Sequence, residues 1–215
     1  MFRSWKAGLF LILMILIVGS GCARQTGPGT VLPLSTPTMA GSLPDNGHGA
    51  TALTAYPIAE AQAKQWNSQA VLYQIPVARL MEKNLGLPSD LLGWFFMFKV
   101  PGSPVEYYIK VVQGRVLGVT EAQPIIIGEA PYTYLPIDLV TLPIGNDAAF
   151  RLFMEDGGKD YLTLHPRPIF DYRLVHLEGQ PNPVWSIFDA ANLDQPPLFN
   201  VDAVTGQEVG DPFAK

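Results

Sequence analysis

At 215 residues the chain is long enough for one large domain or two small ones. A net charge of -5, with 14 Lys and Arg against 19 Asp and Glu, excludes the clustered basic surface that neutralises nucleic-acid phosphates, so no nucleic-acid partner is expected. Cys22 is the single cysteine, which excludes an intramolecular disulfide.

The first element in chain order is an export signal over residues 1–21. Arg3 and Lys6 precede an apolar run from Ala7 to Val18, and small residues lead into Cys22. That order is a signal-peptide layout, and the run is shorter than the roughly 20 apolar residues a spanning helix needs. The stretch "VGSGC" resembles a bacterial lipobox, with Gly19 where the lipobox has Leu. The resemblance implies that the Cys22 thiol receives a diacylglycerol and that the chain is cut just before it. Each acyl CH₂ buried in a bilayer contributes about 0.8 kcal/mol of membrane affinity, and stable anchoring takes more than one chain. The expected location is extracytoplasmic, on a cell membrane or an outer membrane, with the lipid on Cys22 as the membrane partner.

Residues 22–50, "CARQTGPGTVLPLSTPTMAGSLPDNGHGA", are rich in Gly, Pro, Thr and Ser and have no hydrophobic period. Such a stretch cannot bury enough surface to offset its ordering entropy, so it reads as a flexible tether, with His48 inside it.

The folded part reads as two units, 51–126 and 127–215. Each begins with a helix. In the first, Pro57 suits a first helical position, and Ala59, Ala63 and Trp66 share a face. In the second, Asn146 or Asp147 can cap, Ala149 and Phe153 repeat the apolar step, and Gly157 with Gly158 should end the helix. An extended run follows in each unit, "QAVLYQIPV" or "FDYRLVHLE". A strand bearing Trp94 or Trp185 comes next, then a Pro-rich turn and a strand running into Gly114 to Gly118 or Gly206 to Gly210. The proline-rich segment from Glu121 to Gly145 links the halves as an ordered linker or edge strand. Helix, strand, strand, strand, twice, predicts an α+β fold of two tandem helix-plus-antiparallel-sheet units.

These residues resemble the PepSY family, and specifically tandem PepSY-like lipoproteins. The likeness rests on "AEAQAKQWNSQAVLY" and "WFFMFKV" in the first unit, and on "FMEDGGKDYLTLHP", "YRLVHL", "VWSIFDA" and "VDAVTGQEV" in the second. The first unit departs from the pattern in carrying Val111, Val112 and Gln113 where the second has an acidic residue before its hairpin glycine. The family resembles propeptides of thermolysin-type zinc peptidases, so the resemblance implies a restraining or binding role toward a peptidase or another envelope protein.

Residues that carry chemistry are scarce. "DAVTGQEV" offers only Asp202, Thr205 and Glu208, too few oxygen ligands for a Ca²⁺ loop; it reads as a hairpin with Gly206 at positive φ and Asp202 bonded to turn amides. The first unit is expected to make a similar turn without the Asp. His48, His165 and His176 have no second ligand at metal spacing, and His165 before Pro166 reads as a helix-end residue. Ser68, Ser103 and Ser186 lack a nucleophile elbow. Glu155, Asp156 and Asp160 read as a solvated helix face, and Trp94 and Trp185 as core. The expectation is a non-enzymatic binding module without metal or cofactor. Its binding surface is expected at an unpaired sheet edge, placed at Leu198, Phe199, Asn200 and Val201. The alternative is a sensor or carrier lipoprotein that holds a small ligand between sheet and helix.

Overall fold

The computed structural model describes residues 48, 50–85, 92–122 and 132–213; the signal peptide, Cys22 and the tether before His48 lie outside the described residues. Helix α1 runs Ala52–Trp66 and starts at a side-chain cap, the Thr51 Oγ1 accepting from the Thr54 N–H at 3.1 Å. Pro57 is therefore inside the helix and not at its first position. The interior proline forgoes one backbone hydrogen bond. The Thr51 cap and the buried stripe of Ala52, Ala55, Tyr56, Ala59 and Ala63 hold the helix across it.

The remaining elements are β1 (Val71–Ile75), α2 (Ala78–Leu85), β2 (Trp94–Lys99), β3 (Glu106–Val112), β4 (Arg115–Ala122), a 3-10 turn at Leu139–Thr141, α3 (Asn146–Phe153), α4 (Lys159–Leu164), β5 (Phe170–Val175), β6 (Val184–Asp189) and β7 (Phe199–Asp202). The fold is α+β, and the strands form one seven-stranded antiparallel sheet in the order β4-β3-β2-β1-β5-β6-β7. Two local features differ from the expectation. The segment after Pro104 is two strands, β3 and β4. They are joined by Gln113 and Gly114 at φ 48° and 74°, a two-residue hairpin with both central residues left-handed. Helix α2, which the sequence reading did not include, follows β1 after Pro76 and Val77. The helix of the second unit does end ahead of the glycine pair, as expected: α3 stops at Phe153, Gly157 at φ 130° is outside the helical region, and the chain kinks through Met154–Gly158 into a separate helix, α4. Gly158 sits there because a Cβ would lie 2.9 Å from the Phe153 carbonyl oxygen.

The two halves share one sheet and one core. At the seam, Gln74 pairs with Val175 and Ile75 with Leu174, so β1 and β5 join the halves edge to edge. Outward from that seam the order is β2, β3 on one side and β6, β7 on the other. Helices α1 and α3 cover one face, and the core beneath them contains Phe96, Phe98, Ile109, Phe150, Tyr172, Trp185 and Val201 from both halves. Each fully buried side chain of this size contributes roughly 1.5–3 kcal/mol. The tryptophans repeat one contact. Trp94 Nε1 donates to the Ala50 carbonyl at 2.8 Å and Trp185 Nε1 to the Ile144 carbonyl at 2.9 Å, in each half two residues before the first helical residue. The helix start and the second strand of each half are thereby tied by a buried donor that an apolar ring could not supply.

Neither Asn146 nor Asp147 caps α3. The cap position is Gly145, which offers no side chain, and the Asn146 Oδ1 instead accepts from the Ala52 N–H of α1 at 2.9 Å. The two helix starts thus lie side by side.

The opposite face of the sheet is covered unevenly. In the first half α2 lays Ala78 and Met81 on Phe95, Met97 and Tyr108. There the Lys110 ammonium meets the Glu82 carboxylate at 2.6 Å, both side chains 1 % exposed. In the second half the chain returns from its carboxyl end, and Phe213 stacks over the Arg173 guanidinium at 4.2 Å while Asp211 pairs with it at 3.3 Å. Burial lowers the Arg173 guanidinium to about 10, with Asp211 opposing the shift, so it stays charged at neutral pH.

His48, placed in the tether by composition, is buried. Its ring fills the gap at the end of β1, 4.5 Å from the Trp94 ring and 5.5 Å from that of Tyr172. Its Nδ1–H donates to the Gly93 carbonyl at 3.0 Å, and its Nε2 lies 3.6 Å from Asp171. Asp171 in turn accepts from the Ala78 and Arg79 amides at the start of α2. Burial pulls the His48 imidazole below its ordinary value, against the opposing charge of Asp171.

Candidate functional site

The sheet has two ends, and they differ. Strand β7, with Phe199, Asn200 and Val201 and with Leu198 leading in, lies at one end beyond β6. Its outer side is partly occupied by the chain itself. After Asp202 the chain turns at Gly206, φ 72°, and comes back so that the Asp202 N–H donates to the Gln207 carbonyl and the Val209 N–H to the Asn200 carbonyl. The Asp202 carboxylate builds the turn, its Oδ1 accepting from the Val204 and Thr205 amides at 2.8 Å each. Desolvation raises its pKa, but the Thr205 amide, the Asn182 side chain and the Val204 amide together outweigh it and hold the carboxyl below its ordinary range. Asn200 and Asp202 are buried, as are Phe199 and Val201.

Strand β4 ends the sheet on the other side. It is eight residues long, and beyond it no strand pairs among the described residues. Alternate main-chain groups of such a strand point away from the sheet and can accept an added segment. Its side chains alternate between exposed and half-buried. A bulge sets the pattern: Lys110 pairs with Gly118 and Val111 with Val116, leaving Leu117 as the extra residue. Leu117 is 51 % exposed and Val119 44 %. The strand is nevertheless firmly placed. Val116 packs on the core, and the Trp66 indole, stacked on Tyr107 at 4.6 Å, donates to the Glu121 carboxylate at 2.8 Å. The edge therefore presents a rigid backbone and two apolar side chains.

The other candidates fall where they add no site. His165 caps the end of α4 and stacks on Tyr161 at 4.3 Å. His176 meets the Gln180 carbonyl. Glu155, Asp156 and Asp160 are exposed, and Trp94 and Trp185 are core. Among the described residues no group of three or more His, Cys, Asp or Glu is placed to hold a metal ion, and no helix is long and apolar enough to cross a membrane. Sequence reasoning missed β4 as an edge. The signal was present in Gln113-Gly114 between two β-rich runs, the spacing of a two-residue hairpin.

No protein family matches the chain, and no curated protein matches it. Among solved structures it is similar to a candidate lipoprotein, CD1622, from Clostridium difficile 630, at 12% identity over 72% of this chain and 90% of that one, with a TM-score of 0.27. A likeness of that size sets neither the fold nor the function of this chain.

Proposed function

We propose that the chain is a non-enzymatic envelope lipoprotein, anchored through acyl chains on Cys22, whose folded part is a fused pair of PepSY-like units that binds a protein by accepting an extended segment along β4. The observation that carries this reading is the eight-residue β4 edge with its exposed Leu117 and Val119. The anchor reading rests on the signal layout and Cys22. The paired-unit reading is supported by the mirrored strand order and by the two equivalent tryptophan contacts. The β4 edge carries the binding role in preference to Leu198–Val201 because the latter's outward groups at Asn200 and Asp202 already bond to Val209 and Gln207. An extracytoplasmic peptidase is the first partner to try, on the PepSY resemblance.

The test is capture of partners from envelope extract by the full chain, with amide hydrogen exchange measured on the captured complex. The proposal expects the β4 amides to slow on binding and Leu117→Lys with Val119→Lys to abolish capture, since lysines guard edges against pairing. Both side chains are exposed, so the fold should shift by no more than about 0.5 kcal/mol. A complex whose β4 amides exchange as in the free protein ends the reading.

A further inference from the structure

The segment that covers β7 is held in two unlike ways. Along the strand it makes two main-chain bonds, Asp202 N–H to the Gln207 carbonyl at 2.9 Å and Val209 N–H to the Asn200 carbonyl at 3.0 Å, around the isolated Val201–Glu208 bridge. Gln207, Glu208 and Gly210 are exposed. A segment held by few, exposed main-chain bonds opens readily. Beyond Gly210 the hold passes to side chains. The Asp211 carboxylate meets Arg173 at 3.3 Å, the Phe213 ring lies 4.2 Å over the same guanidinium, the Pro212 carbonyl accepts from Gln180 Nε2 at 3.3 Å, and the Phe213 carbonyl accepts from the Tyr132 hydroxyl at 3.2 Å. Pro212 has no N–H and adds no main-chain donor here.

The ground beneath that segment is polar and incompletely used. Arg173, Ser186 and Asn200 stand opposite one another on β5, β6 and β7. The Arg173 guanidinium lies between the Phe188 and Phe213 rings and spends Nη2 on both the Ser186 hydroxyl at 3.1 Å and Asp211 at 3.3 Å. Its Nε, with the Asn200 Oδ1 and the Gln180 Oε1, is buried with no hydrogen-bond partner among the described residues. Nε and Nη2 form the side of the fork that grips a carboxylate through two parallel bonds. Asp211 reaches only Nη2, and the same Asp211 oxygen also accepts from the Phe213 N–H at 3.0 Å. Asp211 therefore holds the place of a carboxylate without filling it.

We infer that residues 207–213 are a removable cover, and that the groove they occupy along β7 and over Arg173 docks an extended protein segment carrying a carboxylate two residues before an aromatic ring. The cover is the template for that occupant: Asp211 and Phe213 have this spacing and take one guanidinium at its edge and on its face. A carboxylate set square on Nε and Nη2 makes the bond that Asp211 leaves unmade, and that difference is what lets an incoming segment displace the cover. The groove lies at the other end of the sheet from β4 and does not depend on the β4 reading.

The test uses the full chain, ¹⁵N-labelled and held in detergent micelles, and the synthetic peptide acetyl-Gln-Glu-Val-Gly-Asp-Pro-Phe-amide, which copies the cover. Asp211→Asn together with Phe213→Ala loosens the cover, so the Val209 and Asp202 amides should exchange at least about tenfold faster while those of β5 and β6 keep their rates. The peptide should bind this variant saturably and slow the Asp202 amide again. It should bind the parent at least about tenfold more weakly, because there it competes with a tethered copy of itself. Replacing the peptide's Asp by Asn, or its Phe by Ala, should weaken binding at least about tenfold, and Arg173→Lys in the loosened chain, which keeps the charge and loses the fork, should do the same. If the double variant loses dispersion, Phe213→Ala alone takes its place. The inference is overturned by unchanged exchange at Val209 and Asp202 in the loosened chain, by no saturable binding of the peptide to it, or by equal binding of the Asp and Asn peptides.

Discussion

The two halves of the sheet are built on one plan and finish differently. Each ties its helix start to the tryptophan of its second strand, and each places a third strand outside that. The first half then adds β4 through Gln113 and Gly114, both with positive φ, whereas the second turns wide around the Asp202 carboxylate and lays residues 207–209 along β7. The expectation of similar turns in the two halves does not hold. A two-residue turn with both φ positive matches the twist of two strands and extends the sheet. A carboxylate that gathers two amides makes a looser turn, after which only the isolated Val201–Glu208 bridge forms. One half is thereby left with an open edge and the other with a covered one.

The largest effects should test the shared plan. Trp94→Ala and Trp185→Ala each remove a fully buried ring and its hydrogen bond to a half-buried carbonyl, and each should cost about 3–5 kcal/mol in chemical denaturation. Closely similar costs, in a single cooperative transition for both, support one fused core; two separate transitions would break the comparison into independent units.

Next come the two ion pairs on the face away from α1 and α3. Lys110→Met leaves the buried Glu82 carboxylate only the half-buried Arg79 guanidinium, 3.9 Å away, and should cost about 3–5 kcal/mol. Arg173→Met leaves Asp211, whose side chain is 30 % exposed, able to reach water, so it should cost less by at least about 1 kcal/mol. Pairing Lys110→Met with Glu82→Leu should recover most of the loss, since a buried pair replaced whole by apolar groups is nearly neutral.

Acid should act on the two halves in different windows. His48, at the first half's helix start, has a folded pKa below its unfolded value near 6.5, so the unfolded chain binds the extra proton there. Its contribution is complete above that value and is lost as the pH falls below it. Asp189 and Asp202, in the second half, are held below 3.8, for Asp189 because bonds from Tyr161, Ala191 and Asn192 outweigh desolvation. Their contribution is present above 3.8 and is lost as the pH falls through their lower folded values. Urea midpoints should therefore drop in two steps, and His48→Phe should remove the upper one while leaving the lower. A midpoint that still falls between about pH 7 and 5 in that variant assigns the step elsewhere.

The smallest effect concerns the turn that opens β4. Gln113 holds φ 48°, which costs an ordinary residue about 1–2 kcal/mol and Asn much less. Gln113→Asn should stabilise the protein by up to about 1 kcal/mol, read as a higher urea midpoint at unchanged slope.

Local features of this fold were legible from the chain alone wherever neighbours in sequence decide them. The stripe of Ala59, Ala63 and Trp66, the tryptophan strands, the Asp202 turn with Gly206 at positive φ and the end of α4 at His165 follow from period, side-chain length and backbone freedom, which act over a few residues. Everything that required distant segments to meet was settled only in three dimensions. The β1–β5 seam fuses two sheets into one through only two residue pairs. Asn146 reads locally as the cap of its own helix but spends its oxygen on Ala52, 94 residues away, because the seam brings the two helix starts together. His48 sits in a stretch whose composition predicts disorder, yet the gap at the end of β1, ringed by Trp94, Tyr172 and Asp171, gives its ring a buried seat. Composition averages over a segment and does not resolve a single seated residue within it. Which edge stays open is of the same kind: it depends on whether a later segment folds back along the backbone, as residues 207–209 do along β7 and no strand does along β4 among the described residues.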